Sequence, residues 1–319
     1  MKTNKSIRVT RRGLQLTLGC FWLLDGALQL QHQMFGNAFI TQVISPATLG
    51  QPHFVTGIMH FWMTIFLQHP AVWNSAAAVT QLAIGALLLW KPTARLGLLG
   101  SMLWGMFVWY VGEGLGGLLG GQTSLLMGAP GAALLYAILA LAAVPPDEEE
   151  KSRDEHQFPA AWLVFAWAII WIGGAVYQLL PGQNITTGLA AMIAGNAHGA
   201  PGWLASVDMR IAHVISGFAS STAQGNGYWF ILILAIVQLA VGVGIFAQKS
   251  TREFVLYAGI VISALFWIVG QRLGGYWTGL ATDPNTSPLI VVLALAILGQ
   301  PLIDHELPKI YKKFERFFI

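Results

Sequence analysis

The fifteen residues FVTGIMHFWMTIFLQ at 54–68 decide how this chain is arranged. They are apolar enough to suggest a membrane crossing, yet a helical span needs about 20 residues. A second stretch, WLASVDMRIAHVISGFA at 203–219, poses the same question. If both cross, the turns carrying Lys91 and Arg95, and Lys249 and Arg252, fall outside, against the rule that basic residues stay on the cytoplasmic side. If neither crosses, the basic residues sort cleanly. Lys2, Lys5, Arg8, Arg11 and Arg12 then share one side with Lys91, Arg95, Lys151, Arg153, Lys249 and Arg252. Lys309, Lys312, Lys313 and Arg316 join them, so fifteen of the 17 Lys and Arg are cytoplasmic. The exceptions are Arg210 and Arg272. The two stretches are therefore read as interfacial or re-entrant helices at the outer face, which is allowed where protein covers their backbone.

Composition sets the class. Of 319 residues, 55% are hydrophobic and 10% charged, against about 25% charged in soluble domains. That excludes a water-soluble domain and intrinsic disorder alike. Cys20 is the only cysteine, which excludes an intrachain disulfide, a CxxC motif and a thiolate iron–sulfur cluster. A net charge of +3 gives no electrostatic support for nucleic-acid binding. Eight apolar segments read as spans: 13–31, 71–90, 96–112, 128–144, 160–180, 228–247, 254–270 and 288–303. The first is not read as a cleaved signal peptide, because Asp25 interrupts it and no small-x-small site follows. Both termini are expected in the cytoplasm, with the chain multi-pass in the cytoplasmic (inner) membrane.

An internal repeat organises these spans. LDGALQ at 24–29 matches IGGAVY at 172–177, AVTQLAIG at 78–85 matches AIVQLAVG at 235–242, and VGEGLGG at 111–117 matches VGQRLGG at 269–275. The order is kept, and each half carries a Lys and an Arg in its cytoplasmic turn. The offset grows between the first and second matches, so the second half has extra residues in its large outer loop. The chain thus divides into a first four-helix repeat at 1–145, an acidic cytoplasmic linker at 146–158 within PPDEEEKSRDEHQ, and a second repeat at 159–319. The expected fold is all-α and integral to the membrane. Two fused four-helix bundles, eight spans in all, would be related by a pseudo-two-fold along the membrane normal. Gln81 and Gln238 fall at equivalent mid-membrane positions and suit interhelical hydrogen bonding.

Polar residues at membrane depth mark function or specific pairing. They are Asp25, Glu113, Asp208, Arg210, Arg272, His60 and His213, all in the outer half or at the outer face. Six of the 8 histidines also fall outside: His32, His53, His60, His69, His198 and His213. IMHF at 58–61 and IAHV at 211–214 are plausible repeat partners, and two neutral imidazoles would suit a bis-histidine haem b or a metal. No HxxxH, HExxH or CxxCH spacing supports this, and hydrogen-bonded packing is the other reading. His60 beside a quinol could also accept a proton.

The Gly-rich stretch WYVGEGLGGLLGGQTSLLMGAPG at 109–131 is neither a P-loop nor a dinucleotide fingerprint. Its counterpart VGQRLGGYWTGLATDP places Gln271 and Arg272 where the first has Glu113 and Gly114. Glu113 and Arg272 could pair across the two halves. Alternatively Arg272, with Arg210 and Gln271, could hold an oxyanion or headgroup. Asp25, whose counterpart is Gly173, is either a structural partner of Arg210 or a loop N–H, or a proton-relay carboxylate. Trp62, Trp73, Trp104, Trp109, Trp203, Trp229 and Trp277 cluster toward the outer side, as an aromatic belt or as walls for a flat quinone or lipid.

The segment RRGLQLTLGCFWLLDGALQL at 11–30 resembles the opening of the DoxX/DoxD group of small four-helix membrane proteins. Those begin with a basic residue, an apolar run and a glycine near the end of the first helix. The four-span unit is similar too, so this chain would be a tandem duplication of it. Within that group, DoxD resembles the membrane subunit of a thiosulfate:quinone oxidoreductase, which passes electrons from an external sulfur anion to the quinone pool. The resemblance implies a quinone-linked oxidoreductase subunit and carries over no catalytic residue.

The expectation is a respiratory or redox membrane protein, acting at the outer face on the quinone pool or with a haem-containing partner. Arg272 and Arg210 would hold an anionic group. His60, His213, Glu113 and Asp25 would handle protons, or the histidines would ligate a cofactor. Membrane lipids and respiratory complex subunits are the expected partners. A non-catalytic accessory subunit is one alternative and a small-solute transporter another. Against the transporter stands the lack, in the sequence, of a Pro/Gly-broken helix pair deep in both halves.

Overall fold

The computed structural model describes residues 9–121, 123–145, 161–180, 186–217, 228–298 and 300. The expected acidic linker at 146–158 lies outside them. So do Lys2, Lys5, Arg8, Lys151, Arg153, Lys309, Lys312, Lys313 and Arg316. The regular structure of the described residues is helical throughout.

In the first half, α1 runs Arg11–Leu28, α2 His53–Gln68, α3 Pro70–Leu89, α4 Ala94–Val111 and α5 Ala132–Ala142. In the second, α6 runs Ala161–Leu179, α7 Thr186–Asn196, α8 Gly202–Gly217, α9 Tyr228–Gly244, α10 Lys249–Val269 and α11 Thr286–Ile297. Local chemistry sets several of these ends. Thr10 caps α1 by accepting from the Gly13 amide at 2.9 Å. His69 precedes Pro70 and leaves helical geometry (φ −145, ψ 66), which parts α2 from α3. Pro70 then opens α3 at a position where its missing N–H costs nothing. Arg12 reaches the end of α3 and donates to the Leu88 carbonyl at 2.9 Å and to Leu89, a cation placed at a helix C-terminus.

Among the described residues, four helices are long and apolar enough to cross a membrane: Pro70–Leu89, Lys91–Val111 (which contains α4), Trp162–Leu179 within α6, and Lys249–Val269. Every segment expected to span overlaps a helix. The stretches at 54–68 and 203–219 are also helical, as α2 and α8.

Pairing repeats between the halves. α1 packs on α3 and α4 on α5, and likewise α6 on α9 and α10 on α11. The glycines of the repeated motif explain the first contact. A Cβ on Gly85 would sit 2.9 Å from the Gly19 carbonyl, and one on Gly242 would sit 2.9 Å from the Ile172 amide. These small residues let backbones touch, which drives helix association where lipid removes the hydrophobic advantage. α5 and α11 pack against each other and join the halves. Leu135, Leu139, Ala140, Leu289, Leu293 and Ala294 are wholly buried there.

Two details differ from expectation. The fourth segment of each half, expected over 128–144 and 288–303, is helical only over Ala132–Ala142 and Thr286–Ile297. Such helices are about 16 to 18 Å long, short of a hydrocarbon core of about 30 Å. Each follows non-helical backbone containing proline: Gly128–Gly131 around Pro130, and Asp283–Asn285 around Pro284. A proline-containing interruption thus precedes the last helix of each half. Secondly, the extra residues of the second half, between α6 and α9, contain α7, which forms a hairpin with α8.

Candidate ligand-binding cavity

The interruption before α5 opens a cavity of about 540 Å³ in the first half. α1, α3, α4 and α5 wall it. The 39–47 segment and α2 cover it, and the loop before α11 closes it from the second half. On α1, helical spacing places Trp22, Asp25 and Gln29 on the face toward it. On α3, Asn74 and Gln81 line it, and α4 adds Trp104 and Phe107. Trp62 and Phe66 of α2 and Trp73 of α3 complete an aromatic wall.

The wall is held rigidly. The Trp22 indole N–H donates to Ser101 Oγ at 2.8 Å, and its ring lies 4.3 Å from that of Tyr136. Asn74 donates to the Gln29 carbonyl at 2.8 Å, tying α3 to the end of α1. The Tyr136 hydroxyl lies beside the Asp25 carboxyl.

Glu113 follows α4 and reaches the first turn of α5, where Oε1 accepts from the Ala133 amide at 3.1 Å. A carboxylate suits a helix N-terminus, where unpaired N–H groups carry positive charge. Gly131 makes the room: its φ of +105 and a Cβ that would lie 2.1 Å from Glu113 Oε2 both require glycine. Trp109 donates to the Pro130 carbonyl at 2.8 Å and fixes the turn. The second half does the same with different chemistry. Gln271 Oε1 accepts from the Ser287 amide at 2.9 Å, and Trp267 donates to the Pro284 carbonyl at 2.7 Å.

Asp283 comes from the second half and lines the same cavity. It accepts from the Asn285 amide at 2.7 Å and from the Thr282 hydroxyl at 2.6 Å. Burial, with Asp283 adding its charge, pushes the Glu113 carboxyl up to about 8. Burial also raises Asp283 from its ordinary value and carries Tyr276 to about 12.

What the cavity lacks defines its chemistry. Among the described residues, no Lys, Arg or His lines it. Five buried acceptor oxygens in its lining have no partner: Asp25 Oδ1, Gln29 Oε1, Asn74 Oδ1, Gln81 Oε1 and Glu113 Oε2. Leaving such groups unpaired costs about 1–3 kcal/mol each, so a ligand bearing hydrogen-bond donors stabilises the arrangement.

Of the residues expected to act, Asp25 and Glu113 meet in this cavity. Gln271 is buried as the α11 cap, and its amide donates to the Leu125 carbonyl of the first half at 3.3 Å. Arg272 does not pair with Glu113. It donates to the His198 carbonyl at 3.0 Å and lies within electrostatic reach of Asp208. Arg210 is exposed on α8. His60 is exposed on α2, and His213 is exposed on α8 beside a separate small pocket against α7. Among the described residues, no group of three His, Cys, Asp or Glu could hold a metal ion. Of the outer tryptophans, Trp62, Trp73 and Trp104 line the cavity, whereas Trp203 and Trp229 are exposed.

Asp283, Tyr136, Asn74 and Gln29 were not singled out by the sequence. Asn74 and Gln29 carry the signal that flagged Gln81, a polar side chain in an apolar helix. Asp283 sits in a polar loop whose insertion into the other half has no sequence signature. Comparison with protein-family models, with curated proteins and with solved structures finds no match.

Proposed function

We propose that the chain is a membrane protein of redox type that binds the ring of a quinone-pool molecule in the first-half cavity. The observation that carries this is an aromatic-walled cavity of about 540 Å³ with unpartnered acceptors and three carboxyl groups at its edge. That size lies in the range of small-molecule sites, about 300–1,000 Å³. Aromatic walls suit a flat ring through offset stacking. A bound quinol would supply electrons and protons. The chain's own part is to orient the ring between Trp22, Trp104 and Phe107 and to accept hydrogen bonds from its hydroxyls. Glu113, titrating near 8, holds or releases a proton around ambient pH.

In this reading the eight segments cross the cytoplasmic membrane with both termini inside, and a pseudo-two-fold along the normal relates the halves. The recurring helix pairs and the matched caps at Glu113 and Gln271 support that symmetry. The DoxX-like resemblance shares the quinone link of this reading but implies electrons passing to the pool. A haem-containing partner or respiratory complex at the outer face would receive the electrons. His60 and His213 lie outside the cavity and take no part in ring binding. An anionic sulfur substrate would have to use Arg272, since the cavity offers an anion no cationic side chain.

Organic extraction of the purified protein tests the proposal. A quinone absorbance at near-equimolar yield, reduced several-fold in Trp104→Ala, is expected. An extract without quinone, and no binding of added short-chain quinone or quinol, would sink it. One observation favours transport as a second reading: α5 and α11 are short, proline-preceded helices at corresponding positions of the halves, as in carriers that bind solute at helix ends. Proteoliposome uptake of a solute, lost in Glu113→Ala, would decide for it.

A further inference from the structure

Among the described residues, the cavity's fully buried atoms without a hydrogen-bond partner are mostly oxygens. Its unpartnered buried oxygens come from Asp25, Gln29, Asn74, Gln81 and Glu113. Against them stand two unpartnered groups that can donate, the Trp104 indole N–H and the Tyr136 hydroxyl. The acceptors come from three places, since Asp25 and Gln29 belong to α1 and its end, Asn74 and Gln81 to α3, and Glu113 to the turn after α4. Neighbouring side chains and backbone hold them before any ligand arrives. Asn74 is fixed by its bond to the Gln29 carbonyl, and Glu113 by the Ala133 amide.

We infer that this cavity selects the hydroxyl-bearing, reduced form of its ring ligand over the carbonyl-bearing form, with Asp25 and Glu113 as the oxygens that read the hydroxyls. The inference rests on the reading that a quinone-pool ring occupies the cavity, and it adds which redox form the site is built for. A carbonyl ring turns lone pairs toward lone pairs at every oxygen that carries no proton, and leaves those acceptors unpaired. A hydroxyl ring pairs them. Sites built to hydrogen-bond a particular group discriminate strongly against the analogue that lacks it, because the buried partner is then orphaned.

The same chemistry gives the selection a pH dependence. The titratable groups facing Glu113 are Asp25 from α1, Tyr136 from α5, and Asp283 with Tyr276 from the loop before α11; no cationic side chain lines the cavity. Burial and the Asp283 charge disfavour its ionisation at neutral pH, whereas the tyrosines are uncharged there. Protonated, Glu113 can donate one hydrogen bond to a carbonyl ring. Ionised, it only accepts. Selection for the hydroxyl form therefore sharpens as pH rises through about 8.

The test is anaerobic calorimetric titration of the full-length protein in nanodiscs with three probes sharing one decyl tail: a 1,4-hydroquinone, its benzoquinone, and its redox-inert 1,4-dimethyl ether. The hydroquinone is expected to bind at least tenfold tighter than either of the others. Its advantage over the quinone should grow between pH 6.5 and 9. Glu113→Gln should flatten that growth while keeping the fold, because Gln271 shows that an amide caps the equivalent helix. Asp25→Asn provides a second variant, expected to lower hydroquinone affinity at every pH. A quinone or dimethyl ether that binds as tightly as the hydroquinone would overturn the selection and leave ring binding standing. Failure of all three probes to bind would overturn both.

Discussion

Glu113 performs two tasks with one carboxyl group. Oε1 satisfies an orphan amide of α5, and Oε2 faces the cavity without a partner. Its proton affinity follows from that placement. The folded carboxyl titrates near 8 against an ordinary 4.5. Over that window the folded state keeps a proton that the unfolded chain releases, so stability falls as pH rises from about 4.5 through 8. Asp283, also raised, acts in the same direction. The melting temperature should decline across this range in the parent protein. In Glu113→Gln the decline should be clearly shallower; equal slopes would remove Glu113 as its source. Ser101 gives a second test at this scale. It is wholly buried and accepts the Trp22 indole N–H. Ser101→Ala should cost about 1–3 kcal/mol by orphaning that donor. A thermal melt reads the loss, and Ser101→Thr, which keeps the hydroxyl, should recover part of it if the added methyl is tolerated.

Helix pairing rests on small residues at chosen positions. A Cβ at Gly85 would meet Leu23 at 2.8 Å and the Gly19 carbonyl at 2.9 Å, so Gly85→Ala must part α1 from α3. The expected cost is about 1–3 kcal/mol of overpacking. Gly57 on exposed α2 has nothing within 4 Å, and Gly57→Ala should be neutral or slightly stabilising. Denaturant or thermal unfolding of the two variants, compared side by side, tests whether close approach or helix propensity decides. Much of this scale was legible in the sequence. The apolar runs located the helices, the Gln-Leu-Ala-x-Gly repeat marked the matching pair α3 and α9, and the basic residues argued against spanning roles for 54–68 and 203–219. Helix length was not legible for α5 and α11. Their first residues are as apolar as a span, and only Pro130 and Pro284, with caps from another element, keep the chain from helix there. Such caps join residues far apart in sequence. The candidate site was half visible for the same reason. Asp25 and Glu113 stood out as charges in apolar surroundings, whereas Asp283 enters the cavity only through the meeting of the two halves.

That meeting makes the molecule more than two copies of one bundle. Equivalent positions have diverged: Asp25 faces the cavity where the second half has Gly173, and Glu113 stands where the second half has Gln271. The second half keeps the scaffold chemistry of the cap and sheds its carboxyls. It contributes instead a loop, tied to the first half by the Gln31 bond to the Ala281 carbonyl and by the Thr286 hydroxyl to Gly128. One half thus supplies the walls and the other the charge that tunes them. The interaction can be measured. Asp283→Asn removes the like charge that raises Glu113, so the Glu113 midpoint should move down from about 8 toward the ordinary carboxylate range, with burial holding it partway. Difference infrared spectroscopy of the protonated carboxyl stretch during pH titration, with Glu113→Gln to assign the band, reads that midpoint directly. Asp208→Asn alters a carboxyl whose charged neighbour is Arg272, and it should leave the band unmoved. A band that stays near 8 in Asp283→Asn would show that burial alone sets Glu113. The second half would then serve the cavity as a wall without electrostatic influence.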